Sequence, residues 1–231
     1  MLKMNKESAV SMIQKALQDG RKILTEYESK QVLAAYQIPV TQEILVKKRS
    51  DVKKAAKIIG YPLVMKGCSA EIAHKTERGL IHVDLRSDRE ALRAFDEIMT
   101  GMGDQEGDVL LQKMIGGRRE LVMGLTRDSQ FGPCVMFGLG GIFTEILRDV
   151  SFRKAPLEKN DALDMLKEIK GFRILDAFRG MDAADRDQLA DMLIRMGQIG
   201  LEIDQIHEID LNPVILSGSE PIVVDALIVL A

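Results

Sequence analysis

Apolar residues recur along the chain at two different spacings, and the first half of the sequence switches between them several times. Four segments have apolar residues every three to four positions, which predicts amphipathic helices. These segments are residues 8–17, 25–36, 50–60 and 87–99. Four shorter segments are rich in aliphatic and β-branched residues, which predicts strands. They are residues 39–47, 61–66, 79–85 and 108–114. Strands that alternate with helices indicate an α/β layer.

The second half consists mainly of apolar strands that follow one another closely. The predicted strands are residues 119–125, 133–139, 143–147, 206–211, 213–217 and 221–227. The first three are separated by turns that contain glycine or aspartate, which predicts an antiparallel sheet. Between the two groups of strands, a long helix with Asp182 as its predicted N-cap carries apolar residues from Leu189 to Ile199 at helical spacing.

These elements predict two lobes of mixed α/β structure, with a ligand cleft between them. The predicted divisions are an N-terminal helix at residues 1–20, a first subdomain at 21–111 and a second subdomain at 112–231.

Composition and charge narrow the function classes. The 231 residues are 46% hydrophobic and 29% charged, which is ordinary for a globular protein with a sizeable core. A formal net charge of −3, with basic residues dispersed along the chain, argues against a nucleic-acid-binding surface. The chain has no run of about 18 apolar residues for a membrane span and no signal peptide at its start. Two cysteines make no disulfide framework, so the expected compartment is the cytoplasm.

A lysine closes one of the most apolar predicted strands. Lys66 ends the run "YPLVMK", where a charged group costs desolvation unless it meets an anion. The alternative is that its stem lies along the strand and its ammonium reaches the surface. The strand by itself leaves both interpretations open.

A glycine-rich segment follows in the second half. Gly138, Gly140 and Gly141, in "MFGLGGIF", allow a tight backbone that could offer N–H groups to phosphate oxygens. Their spacing fits neither a Walker A loop nor a dinucleotide-binding fingerprint. A plain β-turn between two strands is the alternative.

Acidic and amide side chains gather near the C-terminus. Glu208, Asp210 and Asn212 alternate along one predicted strand, so their side chains share a face. Asp225 interrupts the apolar run "IVVDALIVL", where an isolated carboxylate is poorly tolerated. Oxygen ligands from adjacent strands predict a site for a hard cation, of which Mg²⁺ bound with nucleotide phosphates is the usual example.

Several longer segments resemble a known family. They are "YPLVMKGCSAEIAHKTERG", "LLQKMIGGRRELVMGLTRDSQFGPCVMFGLGGIFTEILRDVSFRKAPL", "AFRG" and "HEIDLNPVIL". From about Leu24 to the C-terminus, the chain is similar to the ATP-grasp subunit or domain of ADP-forming acetate–CoA ligases, which are relatives of succinyl-CoA synthetase. The resemblance implies an ATP-grasp fold and an acid–thiol ligase that uses ATP or ADP and Mg²⁺.

The resemblance also implies a role for individual residues. Residues that match the family's nucleotide-binding positions are Lys66 at the phosphates, Gln112, Lys113 and Met114 at the adenine, Glu120 near the ribose, and the glycines Gly140 and Gly141. Asn212 and Asp225 match the Mg²⁺ ligands, with the catalytic Asp210 close by as a further ligand or an orienting acid. His74, in the "HK" motif, matches a histidine that takes up phosphate transiently. His82 and His207 match no such motif and are interpreted as structural or surface residues.

The implied reaction is the reversible conversion of acyl-CoA, ADP and phosphate into acid, ATP and CoA, by way of a phosphohistidine. The chain has no room for a CoA-binding domain beside two ATP-grasp lobes, so we expect a CoA-binding α subunit or a fused domain as partner in a hetero-oligomer. Two positions depart from the family's usual pattern. Leu80 stands where a second glycine is common, and Leu227 where an arginine is common. These departures leave room for a changed substrate or a weakened activity.

Two other functions are compatible with the fold. A regulatory ATP-grasp module of a fused acyltransferase would bind nucleotide without catalysis, but would not need His74. A carboxylate–amine ligase shares the fold and uses an acyl phosphate directly, so it needs no "HK" motif. Phosphorylation of the protein separates the leading hypothesis from both alternatives.

Overall fold

The computed structural model describes residues 5–70, 79–103, 105–141 and 149–231. Its contacts divide the chain into two compact units. The larger unit comprises Met1–Leu24, Glu28–Val40 and Ile115–Ala231, and the smaller unit comprises Thr25–Tyr27 and Thr41–Met114. The units interleave along the chain, whereas the predicted segments 1–20, 21–111 and 112–231 are consecutive. The reason is that the first two helices supply apolar side chains to the same core as the C-terminal half.

The described residues form helices and strands at most of the predicted places. The helices are α1 (Lys6–Gln18), α2 (Glu26–Ala35), α3 (Val52–Ile59), α4 (Asp88–Met102), α5 (Lys159–Glu168) and α6 (Arg186–Glu202). The strands are β1 (Glu43–Val46), β2 (Leu63–Cys68), β3 (Ile81–Leu85), β4 (Asp108–Lys113), β5 (Glu120–Asp128), β6 (Gly132–Leu139), β7 (Val150–Lys154), β8 (Ile206–Ser217), β9 (Glu220–Val223) and β10 (Leu227–Leu230). Short 3-10 helices occupy Arg49–Asp51 and Phe172–Leu175.

The smaller unit is a four-stranded antiparallel sheet with the strand order β1-β4-β2-β3. Helices α3 and α4 supply one side of its core, through residues such as Ala56, Phe95 and Ile98. The strands supply every second residue, including Leu63 and Met65 of β2. Side chains at the positions between them therefore lie on the sheet face that looks away from these two helices.

The larger unit is a six-stranded antiparallel sheet with the order β10-β8-β5-β6-β7, in which β9 pairs with β8. Helices α1, α2, α5 and α6 and one face of this sheet share a single core. Along β5 the core residues are Leu121, Met123 and Leu125, and along β8 they include Ile209 and Leu211. The residues between them point to the opposite face, and this face carries the predicted acidic site.

Two predicted helix caps are wrong. Helix α3 does not begin with Ser50 as its cap, because the chain enters it through the 3-10 helix in which the Asp51 N–H donates to the Lys48 carbonyl. Helix α6 is capped by Asp185, whose carboxylate accepts from the Gln188 N–H at 2.9 Å, and not by Asp182. The sequence offers several aspartates before α6, and the tertiary path of the chain selects the last of them.

The C-terminal strands also differ from the prediction. Segments 206–211 and 213–217 form one strand, β8, which tolerates Pro213 at a register shift where Leu211 and Val214 pair with Met123 and Leu121. A bulge leaves one residue out of the ladder, so the missing proline N–H costs no hydrogen bond there. The predicted strand 221–227 ends at Val223, and Asp225 lies in the link between β9 and β10. The predicted strand 143–147 lies outside the described residues.

None of the helices in the described part of the chain combines the length and the apolar character that a membrane span requires.

Candidate functional site

The predicted site residues belong to both compact units. Lys66, Gln112, Lys113 and Met114 lie in the smaller unit, and Glu120, Gly140, Gly141, Asp210, Asn212 and Asp225 lie in the larger unit. His74 lies outside the described residues.

Lys66 lies in the middle of the smaller unit's sheet. Strand β2 is paired with β4 on one side and with β3 on the other. Its alternation places Lys66 on the face opposite the α3 and α4 core, and the residue is only 4% exposed. Gln112 shares this face, because it pairs with Val64 of β2 and with Glu43 of β1. The result is a sheet face that buries polar side chains.

The ammonium of Lys66 forms a buried ion pair. Its Nζ donates to Oε1 of Glu26 at 2.7 Å, and Glu26 is 3% exposed. Glu43, also 3% exposed, accepts from the Thr41 hydroxyl at 3.4 Å. Burial, followed by the negative charges of Glu43 and Cys68, raises the pKa of Tyr27. The lysine is therefore held inside a polar cluster and does not extend along the strand toward the surface.

The predicted adenine segment uses its amides in the fold. The Lys113 N–H donates to the Gln42 carbonyl at 2.9 Å, and the Met114 N–H donates to the Pro62 carbonyl at 3.3 Å. A base at this segment would therefore be met by carbonyl oxygens, which suit the exocyclic amino group of adenine because that group is a donor. The predicted contact between adenine and the backbone of this segment is thus compatible with the structure where the backbone carbonyls act as acceptors.

In the larger unit, the glycine-rich segment is shaped by close approach to the start of β5. The Gly140 N–H donates to the Glu120 carbonyl at 2.8 Å, so this amide is used in the fold. A Cβ at Gly140 would lie 2.7 to 2.9 Å from backbone atoms of Glu120 and Leu121. Gly141 has φ +64°, and a Cβ there would lie 2.9 Å from Oε2 of Glu120. Gly140 therefore lies against the backbone of Glu120, the predicted ribose contact, and Gly141 lies against its carboxylate.

The predicted acidic face exists on β8. Ile209 and Leu211 are buried in the core, while Glu208 and Asn212 are exposed and Asp210 is half-buried on the other face. Burial, together with the charges of Glu208 and Asp225, raises the pKa of Asp210 to about 6. Burial and the neighbouring carboxylates disfavour the charged form of this carboxyl group, and a cation bound beside it would offset that cost.

The segments that carry the two predicted Mg²⁺ ligands meet in the larger unit. The N–H of Val224, directly before Asp225, donates at 3.0 Å to the carbonyl of Pro213, directly after Asn212. Among the described residues, no three His, Cys, Asp or Glu side chains are grouped closely enough to hold a metal ion by themselves. Mg²⁺ usually needs only one or two carboxylates together with water and substrate phosphates. An amide and a carboxylate beside the strained Asp210 fit an ion that arrives with a nucleotide.

Comparison with known proteins assigns the chain to a family. Residues 15–230 match the ATP-grasp domain family. The chain is 41% identical, over 227 residues, to the β subunit of ADP-forming acetate–CoA ligase I of Pyrococcus furiosus, covering 96% of this chain and 97% of that subunit. This chain belongs to the ATP-grasp family, among the β subunits of ADP-forming acetate–CoA ligases.

Longer and structurally known members of this ATP-grasp family are also similar. The ADP-forming acetate–CoA ligase I of Archaeoglobus fulgidus is 38% identical over 231 residues, which cover 97% of this chain but 33% of that protein. The dinucleotide forming acetyl-coenzyme A synthetase 1 of Ca. Korarchaeum cryptofilum, solved with coenzyme A and Ca-AMPCP, superposes with a TM-score of 0.93 at 43% identity, covering 97% of this chain and all of that chain. In another structure of that enzyme, with Mg-AMPPCP, a phosphohistidine segment points towards the nucleotide-binding site. The resemblance and the ATP-grasp fold predicted from the sequence are confirmed.

Sequence reasoning missed two buried charged residues, Glu26 and Arg119. Glu26 was unremarkable as an acid at the start of a predicted helix, although it forms the ion pair with Lys66. Arg119, which is 4% exposed, donates to four backbone carbonyls, those of Ile174, Asp176, Asp182 and Gly218. An arginine directly before Glu120 in an apolar strand was the signal that could have revealed a buried cation.

Proposed function

We propose that this chain is the nucleotide-binding, phosphate-transferring part of an ADP-forming acyl-CoA synthetase. It catalyses, with a CoA-binding partner, the reversible reaction acyl-CoA + ADP + phosphate = acid + ATP + CoA. The observation that carries the proposal is the match to the Pyrococcus furiosus β subunit over almost the whole of both chains. Two features support it further. The Lys66 ammonium of the smaller unit suits phosphates, and the acidic face of β8 in the larger unit suits their cation.

The proposed chemistry at the nucleotide end is a single phosphoryl transfer. A ring nitrogen of His74 attacks the γ-phosphorus of ATP, the bond to the β–γ bridging oxygen breaks, and ADP leaves while the phosphoryl group stays on the ring. In the opposite direction, ADP accepts the phosphoryl group from His74. Imidazole suits this role because its neutral nitrogen is nucleophilic near neutral pH.

The other residues bind and position. Lys66 meets the phosphates with its ammonium, the carbonyl oxygens of segment 112–114 accept from adenine, and Glu120 accepts from the ribose hydroxyls. Asn212 and Asp225 hold Mg²⁺, with Asp210 orienting them. When bound, the ion neutralises charge on the phosphate oxygens. The protein's contribution is thus placement of the phosphates and stabilisation of charge.

The partner supplies CoA binding and the acyl site. The Pyrococcus relative is called a β subunit, whereas the Archaeoglobus relative is about three times as long as the matched region. Both arrangements support a CoA-binding α subunit or a fused domain as partner of this chain, and thus a hetero-oligomer. The proposed compartment is the cytoplasm, where metabolic acyl-CoA and ADP are available.

Phosphorylation of the protein tests the proposal. The purified chain is incubated with Mg²⁺ and γ-labelled ATP, and protein-bound label is measured for stability in alkali and lability in acid. We expect label on the wild type and its loss in His74→Ala. His207→Ala is the matched control, because His207 is an exposed histidine of β8 outside the "HK" motif.

The outcomes separate the three functions. Label that survives in His207→Ala but not in His74→Ala supports the synthetase. Normal nucleotide binding without label, even after a CoA-binding α subunit is added, contradicts phosphoryl transfer and favours a regulatory module. Label-free turnover of a carboxylic acid and an amine with ATP would instead identify a carboxylate–amine ligase.

A further inference from the structure

The ion pair between Lys66 and Glu26 is unusually well buried. The two side chains are 6% and 1% exposed, and the 2.7 Å separation of Nζ and Oε1 is typical of a strong charge-assisted hydrogen bond. Glu26 is the first residue of α2, whereas Lys66 lies on β2, 40 positions later in the chain. Both residues belong to the smaller unit.

Stability alone is a weak reason for such a pair. Removing two charges from water is costly, and replacing a buried ion pair with apolar residues is often neutral or stabilising. On this sheet face the neighbouring positions Val64 and Leu110 are apolar and buried, whereas Glu26 and Glu43 supply buried acidic groups to the polar cluster. A buried lysine with a fixed acidic partner therefore points to a role for the ammonium itself.

The geometry of the pair suits an ammonium that must be presented in one place. A lysine has a flexible four-carbon stem and three ammonium donors, so by itself it is poorly positioned. The Glu26 carboxylate accepts one of those donors from a backbone position fixed by the first turn of α2. The hydrogen bond to Glu26 engages one of the three donors of an ammonium, and an anion bound by the same ammonium would engage another.

We propose that Glu26 is a positioning residue, which holds the Lys66 ammonium where the nucleotide phosphate meets it. The inference rests on the proposed function, in which Lys66 binds phosphate. It predicts that Glu26 contributes to nucleotide affinity only through Lys66. The opposite arrangement, in which Glu26 competes with phosphate for the ammonium, predicts that removal of its charge tightens binding.

Affinity for Mg-AMPPCP, measured by calorimetry, tests the inference in four variants of the full chain. They are Glu26→Gln, Glu26→Asp, Lys66→Met and the double variant Glu26→Gln/Lys66→Met. Glu28→Gln is the matched control, because Glu28 lies on the same helix and pairs with Arg21. Circular dichroism and urea unfolding establish that each variant is folded.

We expect Glu26→Gln to raise Kd at least tenfold, Glu26→Asp to recover part of this loss, and Glu28→Gln to stay within twofold of the wild type. In the Lys66→Met background, Glu26→Gln should change Kd less than twofold. Unchanged or tighter binding by Glu26→Gln, or a full effect in the Lys66→Met background, overturns the inference.

Two further outcomes keep the test decisive. If Glu26→Gln does not fold, the comparison of Glu26→Asp with the wild type decides, and equal Kd values overturn the positioning role. If the wild type itself does not bind Mg-AMPPCP, the proposed function fails and the inference falls with it. Wild-type binding with no Glu26 effect refutes the inference and leaves the proposed function standing.

Discussion

At the scale of single residues, the surroundings of Asp210 determine its chemistry. The residue lies half-buried on β8, and burial together with the charges of Glu208 and Asp225 raises its pKa to about 6. A raised pKa means that the folded protein binds this proton more tightly than the unfolded chain does. The corresponding stability is fully present below pH 4 and is lost as the pH rises through 6.

Asp210→Asn should therefore change the pH dependence of stability. In EDTA, the free energy of unfolding of the wild type should fall relative to the variant between pH 4 and pH 7, by up to about 3 kcal/mol at 1.36 kcal/mol per pKa unit. Urea unfolding over this pH range measures the difference. Parallel curves for the two proteins would contradict the electrostatic strain at Asp210.

Asp128→Asn is a control with the opposite sign. The N–H groups of Phe131 and Gln130 donate to the Asp128 carboxylate and lower its pKa. A lowered pKa stabilises the folded protein above the ordinary range of aspartate, and this stability is lost on acidification. Asp128→Asn should thus be less stable than the wild type at pH 7 and should approach it at low pH.

Position 140 requires glycine because a side chain has no room there, and not because its φ is unusual. A Cβ would lie 2.7 Å from the carbonyl carbon of Glu120 and 2.8 Å from the Leu121 nitrogen, and neither backbone atom can move freely. Gly140→Ala should lower the free energy of unfolding by about 1–3 kcal/mol, the usual cost of overpacking. Gly116→Ala, where the added methyl meets nothing within 4 Å, should cost less than Gly140→Ala in the same urea experiment. Equal losses would contradict the steric argument.

At the scale of elements, the helix caps reveal what local sequence leaves open. Two aspartates, Asp182 and Asp185, precede α6, and each has the side chain that favours an N-cap. The Asp182 carbonyl accepts from Arg119 at 2.6 Å, which fixes the chain there in a different role, and Asp185 then caps the helix. Arg119 lies on the polypeptide 63 residues earlier, so no local pattern could decide between the two.

This choice of cap can be tested directly. Asp185→Ala removes the acceptor for the Gln188 N–H and should destabilise the protein by about 1 kcal/mol. Asp182→Ala keeps the backbone carbonyl that Arg119 uses, so it should cost less. Thermal unfolding of both variants makes the comparison. A larger loss for Asp182→Ala would restore the cap predicted from the sequence.

At the scale of the whole molecule, the described residues form two separate hydrophobic cores. Leu63 belongs to the core of the smaller unit, and Leu193 belongs to the core of the larger unit. Both are completely buried. Each unit therefore has its own source of stability, and each unit contains some of the residues predicted to bind nucleotide.

Large-to-small substitutions in the two cores should have local effects. Leu63→Ala and Leu193→Ala should each destabilise the unit that contains the cavity, by about 2–5 kcal/mol. Amide hydrogen exchange should accelerate chiefly in β2 and β4 for the first variant, and in β5, β6 and α6 for the second. Equal acceleration throughout both units in either variant would show that the cores unfold as one.

The sequence by itself determined the family, the class of fold and most of the strands and helices. Long motifs such as "FGPCVMFGLGGIFTEILRD" and the alternation of Glu208, Asp210 and Asn212 depend on local order and spacing, which the chain displays directly. The face of β8 followed from this alternation because side chains in a strand have a period of two.

The tertiary structure alone decided which distant groups meet. It joined α1 and α2 to the C-terminal core, selected Asp185 as the cap of α6, placed Asp225 in a link beside β8, and brought Glu26 to Lys66. Each of these contacts connects residues far apart in sequence or selects among locally equivalent candidates. Local propensity cannot choose between such partners, because the free energy that decides comes from burial and pairing in the folded chain.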